Sequence, residues 1–130
     1  MSLRNRFRND DRGATAVEFA IICFPLLLVS LGVVEFGRAL NVRNDLAFAA
    51  DFAVRSVLND ATVPNPDLDS TIRASFTGNR PDLLQIDFGT AAEAGVSFRT
   101  VAITYPFEFV VPGVSANGMT LSVSRRIPLN

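Results

Sequence analysis

The sequence predicts an α+β membrane-anchored protein: a long N-terminal transmembrane helix extending into a small antiparallel β-sheet domain. Two observations carry that fold class. Residues 14–34 form an apolar run in which Glu18 is the only charged side chain. Past residue 84, apolar and polar residues alternate in three stretches, the pattern of strands with one buried and one wet face. A chain of 130 residues has room for one small domain beside such a segment.

The apolar run decides the class. About 20 apolar residues, each rising 1.5 Å, span the roughly 30 Å hydrocarbon core of a bilayer. A secretory signal peptide is the competing reading, but its apolar region is usually only about 7–15 residues long, before a small-residue cleavage site. Here "VEFGRAL" follows, a poor match to such a site. Arg4, Arg6, Arg8 and Arg12 precede the run, and basic flanks stay on the cytoplasmic side. Asp10 and Asp11 weigh little in that rule. The expected topology is single-pass, with the N-terminus cytoplasmic and the C-terminal part outside, which in a bacterium is the periplasm.

Pro25 removes an amide donor and crowds the carbonyl of Ile21, so a helix kink is expected there. From Glu35 to Asn59 no proline intervenes, and Leu46, Ala50, Ala53 and Val57 recur on one helical face. Phe36, Leu40, Ala47, Val54 and Leu58 are expected to widen that stripe. Asp51 and Arg55 are spaced for an exposed pair four residues apart. Ala14 to Asn59 would form one helix of roughly 65–70 Å.

"NDATVPNPDLDS", residues 59–70, reads as a loop, with a short helix capped by Asp69 or Ser70, running through Phe76 and ended at Gly78. The strands come next. Leu84, Ile86 and Phe88 alternate with Gln85 and Asp87. Val101, Ile103, Tyr105, Phe107, Phe109 and Val111 alternate with Ala102, Thr104, Pro106 and Glu108. Leu121, Val123 and Ile127 mark the last strand. Residues 112–118, "PGVSANG", supply a hairpin turn between the last two strands. Pro106 on the polar face indicates an edge or a bulge. The apolar face should pack on the outer half of the helix.

Composition argues against several functions. A net charge of −1 gives no basis for general nucleic-acid binding. There is no histidine to serve as base or metal ligand, and Cys23 is alone inside the apolar run. Asp67 and Asp69 lack the glycine and terminal glutamate of a calcium loop. No Gly-rich phosphate loop occurs. The chain reads as a structural or assembly protein rather than an enzyme, with no cofactor and no metal.

Glu18 remains. A carboxylate in a membrane helix costs about 2.5–3.5 kcal/mol on insertion scales. Near the interface it could simply reach water or pair with Arg12. The surrounding stretch gives it a sharper role: a basic leader ending in Gly13, then Ala14, then Glu18 and Phe19, with apolar residues continuing. That arrangement resembles the processing site of type IV prepilins. "GATAVEFAIICFPLLLVSLGVVEFGRAL" is similar to the TadE-like pseudopilins of the tight-adherence (Tad/Flp) pilus system. These share a G-x-x-x-V-E-F-A start, a proline further in, and an E-F/Y-G-R near the helix. The resemblance is close over residues 8–40.

It implies a pilin-like fold and processing after Gly13 by a membrane-embedded prepilin peptidase, with Gly13, Ala14, Glu18 and Phe19 as the recognition residues. Cleavage would free the Ala14 amine, cationic at neutral pH, and Glu18 one turn away could neutralise it in its own chain or in a neighbour. In this family such pairing is thought to set subunit register in the membrane. Gly13, having no side chain, would lie extended across the peptidase cleft.

The implied division is a cleaved leader over 1–13, a transmembrane helix over 14–34, its extramembrane continuation over 35–60, and a small periplasmic domain over 61–130. The implied partners are the peptidase, other pilins or pseudopilins of the Tad system and the membrane, with no nucleic acid. The implied setting is the bacterial inner membrane, in a machine for adhesion and secretion. The alternative is an uncleaved bitopic envelope protein whose periplasmic module binds some partner.

Overall fold

The computed structural model describes residues 11–111 and 118–129. Helix α1 covers Asp11–Asn59, helix α2 covers Asn65–Ser75, and a single 3-10 turn covers Pro81–Leu83. Strands β1 (Gln85–Glu93), β2 (Val96–Phe107) and β3 (Met119–Leu129) follow. The chain divides into two units, one ending at Phe36 and the other beginning at Gly37.

In the first unit α1 begins three residues before the expected Ala14 and passes through Pro25 without a break. From Gly13 to Val34 every side chain is exposed except Cys23, which is half-buried. The segment is long and apolar enough to cross a membrane. Ser30 donates its hydroxyl to the Leu26 carbonyl at 2.8 Å, so this hydroxyl needs no water.

The second unit holds the core. Along α1, Ala39, Leu46, Ala49, Ala50, Ala53 and Val57 are buried. Leu68 and Ile72 of α2, Phe76 and Leu84 join them, with Val101, Ile103 and Phe107 of β2 and Leu121, Val123 and Ile127 of β3. The predicted stripe of Leu46, Ala50, Ala53 and Val57 is therefore the buried one. Its expected widening fails: Phe36, Leu40 and Leu58 are exposed, and only Ala47 and Val54 of that set are half-buried. Alanine dominates the packed face because a methyl side chain lets neighbouring backbone come close. Asp51 also departs from expectation, since it accepts from Arg125 of β3 at 2.9 Å and ties the helix to the sheet.

The region after α1 is more ordered than the predicted loop. Asp60 closes an Asx turn by accepting from the Thr62 amide at 2.9 Å. α2 then starts at Asn65, several residues before the expected cap, and ends at Ser75. Two prolines had argued for a loop, but Pro64 occupies the N-cap and Pro66 lies in the first turn, where a missing N–H costs nothing. Arg73 braces the helix, donating to Asp69 at 2.7 Å and to the Pro81 carbonyl at 2.8 Å. Arg99 of β2 is buried and donates to Asn65 at the start of α2.

The sheet has the order β1-β2-β3, all antiparallel. β1 is longer than expected, reaching Glu93, and joins β2 through Ala94 and Gly95, both at positive φ, the mark of a type I′ turn. β2 correspondingly occupies 96–107 rather than 101–111, because this hairpin extends the pairing backward. Pro106 pairs with Thr120, beyond the last β1–β2 pair at Gln85–Thr104. The central strand has a neighbour on one side only at that point, the edge setting in which a proline is tolerated. Of the expected turn, residues 112–117 lie outside the described residues. Gly118 has φ +66°, and a Cβ there would approach the Phe107 carbonyl oxygen to 2.9 Å.

Close helix–sheet packing has a measurable consequence. Ala53→Leu should overfill the interface and cost about 1–3 kcal/mol, whereas Leu58→Ala on the exposed face should stay within about 0.5 kcal/mol. Chemical denaturation of both variants in the same detergent checks this.

Candidate functional site

The sequence places its functional residues at the head of α1, so this site is built from one helix. Gly13 and Ala14 lie in the second half of its first turn, and Glu18 follows Ala14 by four residues, on the same face. Glu18 and Phe19 are both exposed, Phe19 at 69%. A Cβ on Gly13 would meet nothing within 4 Å. No contact among the described residues therefore requires glycine there.

Gly13 is helical, not extended as a peptidase cleft would hold it. The first turn of a helix has amides without intrahelical acceptors, and glycine weakens a helix by about 1 kcal/mol relative to alanine. Unwinding this one turn is consequently cheap. Arg4, Arg6 and Arg8 lie outside the described residues.

Beyond Glu18 the apolar surface continues with Ile22, Phe24, Leu26 and Val29, all more than 60% exposed. Farther along, the E-F-G-R run has a structural role that spacing alone did not reveal. Glu35 is buried at 5% exposure. The Arg38 guanidinium lies 5.3 Å from the centre of the Phe107 ring, a cation–π contact between α1 and the end of β2. Phe48 and Phe52, one turn apart, stay exposed on the outer part of the same helix.

The remaining polar groups form structural pairs. Asp82 is held below the usual carboxylate range by the hydrogen bond from Arg80, which is itself raised by that partner. Asp60 is lowered by the Thr62 hydroxyl and then by the Thr62 amide. Arg126 pairs with Glu93 at 2.6 Å beside the β1–β2 turn. Asp67 and Asp69 do not converge: the Asp67 carbonyl accepts from Ser70 and Thr71, and the Asp69 carboxylate is engaged by Arg73. Among the described residues no three acidic or thiol side chains form a group able to hold a metal.

The membrane role of the apolar run is directly testable. Phe24→Arg, at the middle of residues 14–34, should make insertion less favourable by about 3 kcal/mol. Carbonate extraction of membranes should then release a substantial share of a chain that otherwise stays in the pellet.

A protein-family model matches part of the chain, and comparison with curated proteins and with solved structures gives no match. The matching family is described as TadE-like protein, and the match covers residues 13–55. It starts at Gly13 and takes in the exposed apolar run, the E-F-G-R stretch and most of the alanine-lined face. Over residues 13–55 the chain is similar to the TadE-like family.

Proposed function

We propose that this chain is a minor pseudopilin that takes part in assembling a Tad/Flp-type pilus. It is made as a single-pass precursor in the bacterial inner membrane, with its N-terminus cytoplasmic and its outer unit periplasmic. A prepilin peptidase cuts it after Gly13. The observation that carries this reading is the coincidence of Gly13, Ala14, Glu18 and Phe19 at the head of an exposed apolar helix, within a TadE-like segment that begins at the same glycine.

Each residue then has a physical task. Gly13 offers an easily unwound turn with no side chain to clash in the cleft. Cleavage gives Ala14 a cationic amine, and the Glu18 carboxylate balances it in a low-dielectric setting. Within one chain the two are four residues apart on one face, and between chains the same attraction fixes how far one helix slides past another. Phe48 and Phe52 give a neighbouring pilin or pseudopilin an apolar surface beyond the bilayer.

A second reading, an uncut bitopic envelope protein with a periplasmic binding module, draws support from the helical conformation of Gly13 and Ala14. It leaves the spacing of Gly13 and Glu18 without a purpose.

Glu18→Ala separates the two. The variant should insert at least as well as the parent, since it removes a carboxylate from the apolar run. It should nevertheless lose most of its co-purification with other Tad components. Undiminished co-purification would contradict the assigned role of Glu18.

A further inference from the structure

We infer that the cleft between α1 and β3, bounded by Arg43 and Arg125, is an oxyanion-binding site that takes a carboxylate or a phosphate group. The inference concerns the second unit alone and is independent of membrane insertion, cleavage and pilus assembly.

The cleft follows from three positions one turn apart on α1. Arg43, Ala47 and Asp51 recur every four residues on the side of the helix that meets β3. Asp51 accepts from Arg125 Nε at 2.9 Å and so brings that guanidinium to the helix. Ala47 carries only a methyl group, so the space between the two charged positions stays open. Arg43, Asn44 and Ala47 form one wall of the resulting cleft of about 290 Å³, and residues 122–125 of β3 form the other. β3 is an edge strand, so part of its backbone has no ladder partner and is free to donate as well.

Donors gather here without acceptors to match them. Arg125 Nη1 donates to the Ser124 carbonyl at 3.3 Å, while its Nη2 has no acceptor among the described residues. Arg43 has neither an ionic nor a hydrogen-bond partner among the described residues. No acidic side chain lines the cleft, and Asp51, outside its lining, engages a single nitrogen. Two other clefts are charge-balanced. One of about 380 Å³ sets Arg38 with Asp45, and one of about 240 Å³ sets Arg80 with Glu108.

The guest must therefore be negative, and it must be small. Sites for drug-sized ligands begin at about 300 Å³ and are mostly apolar, whereas this cleft is polar and lies at the bottom of that range. Guanidinium groups favour carboxylate and phosphate oxygens, which accept two donors at once. An acidic side chain of a neighbouring protein and a phosphate group share that chemistry.

The test uses the full-length, nitrogen-15-labelled chain in detergent micelles, followed by amide NMR spectra. Inorganic phosphate or acetate is titrated against sodium chloride at matched ionic strength. Saturable shifts are expected for residues 43–47 and 122–125 with an oxyanion and not with chloride. Arg43→Gln should weaken binding roughly tenfold, the effect of losing one hydrogen bond to a charged group. Arg55→Gln, which alters another exposed arginine of α1 without a partner among the described residues, should leave binding unchanged. The tighter of the two anions names the source: acetate points to an acidic side chain, and phosphate to a phosphorylated molecule. Shifts that chloride reproduces, or saturable shifts that Arg43→Gln leaves intact, would overturn the proposal.

Discussion

Everything in this molecule depends on α1, a helix with an exposed apolar first part and a second part packed into a core. Between Gly13 and Val34 it is long and apolar enough to cross a membrane, and a helix is the form in which backbone N–H and C=O groups are satisfied without water. From Ala39 to Val57 the same helix turns an alanine-lined face to the core of the second unit. A three-stranded sheet and one short helix contribute only a modest core of their own. The buried Ala39, Ala49, Ala50 and Ala53 of α1 complete that core.

The helix was the most legible part of the sequence because its signals are strong and long. An apolar run with one charge needs no tertiary context to be read, and the spacing of Leu46, Ala50, Ala53 and Val57 marked the packed face. The widening of that face was misjudged because periodicity counts large apolar residues as core. Phe36, Leu40 and Leu58 are exposed, while Ala39 and Ala49, weak in hydropathy, are buried. The β1–β2 hairpin was missed for a related reason: Ala94–Gly95 lacks the usual Asn-Gly signature, yet Ala94 adopts φ +50°. Asp51 shows the limit of local pairing rules, since a partner 74 positions away outcompeted the one four residues on.

The candidate site is legible in the opposite way. Its residues are visible in sequence and have little internal explanation in the fold. Nothing fills the space at Gly13, and Glu18 and Phe19 face outward. That pattern is what the proposed role entails, since a peptidase or a neighbouring subunit would supply the contacts that the fold does not. Arg38 is the converse case. The E-F-G-R run was noticed as a family feature, but only the fold pairs its guanidinium with the Phe107 ring. The contact connects the first turn of the second unit to the sheet, so the sequence signature continues to matter beyond the apolar run.

The central claim is that Gly13 is a processing site and that the mature chain begins at Ala14. Intact mass combined with N-terminal sequencing, on protein from membranes with and without an active prepilin peptidase, tests it most directly. The account predicts a product starting at Ala14 only where the peptidase is active. A full-length chain in both membranes would contradict it and reduce Glu18 to a charge at the edge of the bilayer.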